Sequence, residues 1–242
     1  MSGFHDLATR FKKALDLKIE PVGARFFGQD ETVPGEVGLL EPEAGLKSYC
    51  QGLIAAGRGR SFFGGAEKLG CPLGTAALGL SIDPRNIIQE TIKEKHAAGL
   101  FAGVDASRAT ISGAPKLSAG LNRAVLIGPL ASFPVTPDLV VVEVVPRDAM
   151  WLLYGANYSS GGRQALPQSG GAAGACADIG AWILLNHKVN ITFLGLACRL
   201  KSGLPAEHLL VGLPAGLFET VTIALEKMSG PIAKLSGART EL

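Results

Sequence analysis

The sequence predicts a mixed α/β fold, with α+β as the alternative, built from two halves that each hold a small sheet with flanking helices. Three observations predict it. Helical and strand-like segments alternate along the 242 residues, hydrophobic residues make up 47% of the chain, and the order of elements and cysteines repeats. We place the halves at residues 1–120 and 121–242, related by a pseudo-two-fold axis and packed as one globular unit.

The first half begins with an amphipathic helix at residues 4–16, where apolar side chains recur at helical spacing. The alternating pattern of residues 21–27 indicates a strand. A loop rich in Pro, Gly and Glu covers residues 28–44, and a short helix at residues 47–58 carries Cys50 in its first turns.

The first half continues with a Phe/Gly strand and a Gly-rich segment around Cys71. A helix then starts with Asp83 as its N-cap and Pro84 at its first position, and it stops at Gly99. This order of strand, cysteine, strand, cysteine and helix is the unit that we look for again downstream.

The second half repeats that order. A buried strand at residues 138–146 leads through a helix and a Gly/Ser/Ala-rich segment (residues 159–175) to a helix that begins at Cys176. A strand ending on Cys198 follows, and Pro214 opens the last helix. The cysteine spacing is 21 residues in the first half and 22 residues in the second. We therefore predict an internal duplication, with equivalent cysteines facing each other across the two-fold axis.

Composition excludes several classes of function. The net charge is +2, aromatic residues are only 6% of the chain, and no Lys/Arg stripe alternates with them. We therefore do not expect the protein to bind nucleic acid. No apolar run approaches the roughly 20 residues of a membrane helix, and the charged N-terminal segment is unlike a signal peptide. We expect a cytoplasmic protein whose cysteines stay reduced.

The four cysteines are the candidate metal ligands. A single cysteine is more often a small buried hydrophobe, so the case for ligation rests on the paired spacing. The chain has no CxxC knuckle, and it has enough core to fold without a structural metal. Ligands so far apart in sequence favour a [4Fe–4S] cluster held between the halves over a tetrathiolate zinc site, with zinc kept as the alternative. The predicted ligands are Cys50, Cys71, Cys176 and Cys198.

Glycines and a few polar residues complete the predicted site. Four glycines near the cysteines would bring backbone N–H groups close to the cluster sulfurs: Gly70, Gly74, Gly174 and Gly195. The segment 159–175 is either a surface loop or a lid over a pocket, with Arg163 as an anion contact. Asp178 is a candidate general acid, although an Asp in the first turn of a helix needs no function. Tyr49 and Tyr154 line the pocket or belong to the core.

Six short motifs in a fixed order give the chain a family resemblance: EPVGARFF, SYCQGL, LGCPLG, GACAD, GLACRL and LPAGLFETVTIALEKM. They resemble the bacterial and archaeal domain-of-unknown-function family number 169 over about residues 7–230. The resemblance implies cysteines beside Gly-rich turns and, since the family is common in anaerobes, suits an oxygen-sensitive cluster. Many members show Gly-Cys-x-Gly at the last cysteine, where this chain has Ala197-Cys198-Arg199-Leu200.

The leading functional hypothesis is an iron–sulfur protein acting in redox chemistry on a small molecule or in electron transfer to a partner. It is a redox enzyme if one iron keeps an open position, whereas four cysteine ligands make electron transfer the simpler role. Two alternatives remain: a non-catalytic module that binds a small ligand beside buried cysteines, and a structural zinc protein. A homo-oligomer is compatible with the sequence.

Overall fold

A computed structural model describes residues 2–38, 47–168 and 170–237, so part of the loop predicted at residues 28–44 lies outside the described residues. The helices are α1 (Ser2–Leu15), α2 (Gly35–Gly38), α3 (Tyr49–Ala56), α4 (Pro72–Ala77), α5 (Arg85–Ala97), α6 (Val104–Gly113), α7 (Pro146–Asn157), a π-helix (Gly174–Ala181), α8 (Trp182–Asn186), α9 (Leu196–Ser202), α10 (Ala215–Lys227) and α11 (Ser229–Gly237), with a 3-10 turn at Leu130–Ser132. The strands are β1 (Val22–Gly28), β2 (Phe62–Gly64), β3 (Asn122–Pro129), β4 (Leu139–Val144), β5 (Asn190–Thr192) and β6 (Leu209–Pro214).

The strands form one six-stranded sheet in the order β2-β3-β1-β4-β6-β5, and the strand pairs in it are antiparallel. The predicted mixture of helices and strands is confirmed. The sheet is continuous, however, and the two halves do not have a separate small sheet each. The reason is the pairing of β1 with β4, which joins Val22 to Val141 and Ala24 to Leu139 in the middle of the sheet.

The strand order has a two-fold correspondence. Strands β1, β3 and β2 run outward from the centre on one side, and β4, β6 and β5 run outward on the other. Strand β3 lies beyond residue 120 but pairs with β1 and β2, so the division that matches the sheet falls between Pro129 and Leu139. The duplication itself stays a prediction.

Helices cover both faces of the sheet, and the alternating side chains of β4 show the two faces clearly. Leu139 and Val141 belong to one hydrophobic cluster, whereas Val140 and Val142 belong to another. The second cluster packs α1, α7 and α10 on the sheet, with the Phe11 and Phe218 rings 4.7 Å apart. The first cluster packs α3 and the π-helix on the opposite face, and this is the face that carries the cysteines.

Several elements differ from the sequence prediction. Cys198 lies in α9 and does not end a strand, because the strand β5 is over at Thr192. The prediction also missed α4, α6, β3 and β6. The helix α5 begins one residue later than predicted, with Pro84 as its N-cap, while Asp83 accepts a hydrogen bond from the backbone N–H of Arg85. In the described part of the chain, no helix has the length and apolar character needed to cross a membrane.

Candidate metal centre

Each cysteine lies at or near the beginning of a helix. Cys50 is the second residue of α3, Cys71 is the N-cap of α4, and Cys176 and Cys198 are the third residues of the π-helix and α9. The helix α3 contacts both α9 and the π-helix, and α4 contacts the π-helix. The packing of these four helices therefore brings their N-terminal turns, and the cysteines with them, to one side of the sheet.

A cavity of about 220 Å³ opens beside these helix starts, and Cys71, Cys176 and Cys198 line it. Cys50 is buried and shares a hydrogen bond with the thiol of Cys198. All four cysteines are free thiols. Among the described residues, no three His, Cys, Asp or Glu side chains are close enough to surround one metal ion. Ligation by the four cysteines thus stays a prediction.

The surroundings of Cys50 favour its thiolate. The hydrogen bond from Cys198 is the largest cause, and the Ser48 hydroxyl, 3.2 Å from the Cys50 Sγ, together with the backbone N–H groups of Cys50 and Gln51, adds to it. These donors outweigh the effect of burial and lower the pKa of Cys50 to about 6. Cys50 therefore ionises before Cys176 and Cys198, whose pKa values are raised.

The charges of neighbouring cysteines raise the pKa values of the Cys176 and Cys198 thiols. The hydrogen bond to Cys50 raises the pKa of Cys198, and burial and the charges of Cys50, Cys176 and Cys71 raise it further. Burial, followed by the charges of Cys71 and Cys50, raises the pKa of Cys176 well above its usual value. Four thiolates in this space would repel one another strongly unless a cation lay among them.

The chain segments that lead into the π-helix and α9 are packed tightly against each other. A side chain at position 195 would overlap with the carbonyl oxygen of Gly171, and one at position 174 would overlap with Thr192. Ala173 and Leu194 both have left-handed backbone, with φ of 57° and 58°. This conformation costs a non-glycine residue about 1 kcal/mol or more, and such strain together with a π-helix is frequent at functional sites.

The predicted glycines therefore have two different roles. At position 74, a side-chain carbon would stand 3.5 Å from the Cys71 Sγ, so Gly74 leaves that sulfur uncovered. Gly174 and Gly195 instead allow two segments of chain to approach closely. Gly70 has only ordinary contacts with Lys47, at 3.8 Å.

A buried hydroxyl lies next to the cysteines. Tyr49, which immediately precedes Cys50, is 2% exposed, and its Oη has no hydrogen-bond partner among the described residues. Burial and the charge of Cys176 raise the pKa of Tyr49 far above its usual range, so this hydroxyl keeps its proton. Since buried polar atoms nearly always have partners, the orphaned Tyr49 Oη points to an acceptor from outside the chain.

The mouth of the cavity carries charges of both signs. Glu90, Glu94 and Lys95 of α5 line it on one side, and Lys201 of α9 lines it on the other. The end of the predicted lid segment, residues 171–173, also borders the cavity. The sequence reasoning missed these charged residues, because the pattern of α5 shows an amphipathic surface helix and not which of its polar residues face a cavity.

The remaining predicted site residues lie in other places. Arg163 and Tyr154 line a separate apolar groove with Phe193. Asp178 lines a different cleft with Trp182, and burial raises the pKa of the Asp178 carboxyl to about 7 against a weak hydrogen bond from Thr192. Three of the four cysteines thus line one cavity and Cys50 is hydrogen-bonded to Cys198, whereas Arg163 and Asp178 line other clefts.

Arg199, at the variable position of the family pattern Gly-Cys-x-Gly, anchors the helix that carries the last cysteine. Its guanidinium donates hydrogen bonds to the carbonyl oxygens of Phe193, Pro205 and His208, at 2.6–2.7 Å. These bonds tie α9 to the segments before and after it. The residue following Cys198 therefore fixes the helix that carries this cysteine.

Comparisons with known proteins give a family and no individual relative. No curated protein and no solved structure matches the chain. The family DUF169, described as uncharacterised ArCR, matches residues 10–222, which include all four cysteines and the six strands. The chain therefore belongs to the DUF169 family.

Proposed function

We propose that the protein holds a [4Fe–4S] cluster and acts in electron transfer or in redox chemistry on a small molecule. The proposal rests on four free thiols at four helix starts. Cys71, Cys176 and Cys198 line one cavity, Cys50 shares a hydrogen bond with Cys198, and the charges of neighbouring cysteines raise the pKa values of Cys176 and Cys198. The proposed ligands are Cys50, Cys71, Cys176 and Cys198.

The residues present fit such a cluster in three respects. The donor set is all sulfur, which iron–sulfur clusters require. The cavity is far larger than a single ion. The Tyr49 hydroxyl is a buried donor without a partner among the described residues, and a cluster sulfide is an acceptor. When bound, such a cluster supplies one-electron transfer at a potential set by its charge, its hydrogen bonds and its exposure.

The surrounding residues suggest how the site is used. Cys71 and Cys198 are only partly buried, so a reactant or redox partner has a route to this side of the cavity. Glu90, Glu94 and Lys201 at the mouth offer ion pairs to an approaching molecule of mixed charge. A small-molecule reductase requires an open iron position, whereas four cysteine ligands favour electron transfer. The proposal assumes the cytoplasm, where thiols stay reduced.

The test is anaerobic purification followed by iron, sulfide and zinc analysis. We expect about four irons and four sulfides per chain, with broad absorbance near about 400 nm that dithionite bleaches. The variant Cys198→Ser should lose more than half of the iron. The matched control is Leu200→Ser, which also introduces a serine into this helix but at an exposed position, and it should keep the iron.

Other results would each contradict the proposal. Zinc without iron would indicate a structural zinc site. A colourless anaerobic protein without either metal, also after incubation with iron and sulfide, would leave a ligand-binding module with buried cysteines. Equal iron loss in the Cys198→Ser and Leu200→Ser variants would show that the cysteine is not a ligand.

A further inference from the structure

A second cleft, which we call the Asp178 cleft, lies apart from the cysteine cavity. It has a volume of about 460 Å³ and lies between the C-terminal end of α6, the segment Pro167–Gln168, and the helical face that carries Asp178 and Trp182. In the described part of the chain, the lining of this cleft and that of the cysteine cavity have no residue in common.

The cleft contains hydrogen-bond acceptors that are not satisfied. Asp178 is 3% exposed, and among the described residues its carboxyl accepts one side-chain hydrogen bond, a long one of 3.4 Å from the Thr192 hydroxyl. The Gln168 Oε1 is buried without a hydrogen-bond partner among those residues. A buried carboxyl without a counter-charge destabilises a fold, so its presence in a cleft points to a ligand that supplies the missing donors.

The adjoining helix end already attracts an ammonium group. The helix α6 ends at Gly113, and its C-terminal carbonyls carry a partial negative charge. The Lys116 Nζ donates hydrogen bonds to the carbonyl oxygens of Ser112 and Ala114, at 2.6 and 3.0 Å. The chain thus places its own cation on these carbonyls, whereas no cation among the described residues pairs with the Asp178 carboxyl.

We propose that the Asp178 cleft binds a small organic cation, namely a protonated amine with an apolar body. The ammonium group donates to the Asp178 carboxylate and the Gln168 Oε1. The apolar body packs on Ala114, Pro167 and the ring of Trp182, whose face also attracts cations.

The lining distinguishes an amine from other ligands. A bare metal ion prefers six or more oxygen ligands, whereas most of this lining is alanine, proline, glycine and tryptophan. A neutral ligand gains nothing from a carboxylate beyond ordinary hydrogen bonds. The proposal is independent of the cluster, since an amine site beside Asp178 needs none of the four cysteines.

The test uses benzylammonium as the probe and benzyl alcohol as its neutral counterpart. Binding of each compound is monitored by the NMR signals of the indole N–H groups. The chain has two tryptophans, of which Trp182 lines the cleft and Trp151, a residue of α7, is buried in the other hydrophobic cluster, on the opposite face of the sheet. We expect benzylammonium to shift the Trp182 resonance saturably and to leave the Trp151 resonance in place. Benzyl alcohol should bind at least about tenfold more weakly, because it lacks the charge-assisted bond.

The variant Asp178→Asn keeps the shape and removes the charge, and we expect it to weaken benzylammonium binding by at least about tenfold. The control is Asp105→Asn, which removes an exposed carboxylate of α6 and should bind as the wild type does. Absence of a saturable Trp182 shift in the wild type, or equal binding of the amine and the alcohol there, would overturn the proposal even if the Asp178 variant failed to fold. Unchanged binding in a folded Asp178→Asn variant would overturn it as well.

Discussion

Single residues around the cysteines decide how readily each thiol ionises. The sequence predicts the four cysteines as a set from their spacing, and three of them, Cys71, Cys176 and Cys198, line one cavity. The sequence cannot predict that Cys50 shares a hydrogen bond with Cys198, because that contact depends on how α3 packs against α9. The orphaned hydroxyl of Tyr49 is likewise a product of packing, since sequence alone left Tyr49 as either a pocket or a core residue.

The variant Tyr49→Phe should lower the reduction potential of the bound cluster. If the Tyr49 hydroxyl donates to a cluster sulfide, its loss removes about 0.5–1.5 kcal/mol of preference for the reduced state, or about 20–60 mV for one electron. The measurement is a potentiometric titration under anaerobic conditions. The control is Tyr154→Phe, the same change at an exposed tyrosine in another groove. Equal potentials in the Tyr49→Phe variant and the wild type would show that the hydroxyl does not reach the cluster.

At the scale of elements, strong periodic segments were predictable and short close-packed ones were not. The apolar spacing of α1 and the β-branched run of β4 gave correct predictions. The helix α4 was missed because its six residues include a proline and a glycine, and β6 was missed because its run is broken by Gly212. That glycine is needed because a side chain at position 212 would overlap with Ile183 and Ile179 of the adjoining helices, a tertiary contact invisible in the sequence.

The variant Gly195→Ala should displace the beginning of α9. Its new methyl group overlaps with the backbone of Gly171, and backbone cannot yield as a flexible side chain does. We expect a loss of about 2–4 kcal/mol in the free energy of unfolding, measured in urea, and of more than half of the bound iron. Gly70→Ala is the matched control beside Cys71, where the methyl group makes only an ordinary contact, and it should stay within about 1 kcal/mol of the wild type. Full iron content in a destabilised Gly195→Ala variant would show that the close contact between Gly195 and Gly171 is not required for metal binding.

At the scale of the whole molecule, the cysteines follow the two-fold correspondence of the sheet. Cys50 lies between β1 and β2 as Cys176 lies between β4 and β5, and Cys71 and Cys198 occupy the matching later positions. Non-equivalent cysteines nevertheless influence each other most: Cys50 shares a hydrogen bond with Cys198, and the charge of Cys71 raises the pKa of Cys176 more than the charge of Cys50 does. Each of these pairs takes one cysteine from either side of the β1–β4 junction. A metal centre held by all four would therefore link the two sides of the sheet, which two hydrophobic clusters already hold together.

Removal of the metal should therefore loosen the protein without unfolding it. The apolar packing on both faces of the sheet does not depend on a bound metal. The metal-free chain should therefore keep its far-UV circular dichroism spectrum. We expect the Tm to fall by about 5–10 °C, which corresponds to about 2–3 kcal/mol for a chain of this length. The measurement compares anaerobic protein before and after treatment with a chelator and an oxidant. The Cys198→Ser variant should start near the lower Tm and change little on treatment. A complete loss of structure would instead indicate a metal that replaces the core, as in small zinc domains, and an unchanged Tm would mean that the cysteines do not link the two sides through a metal.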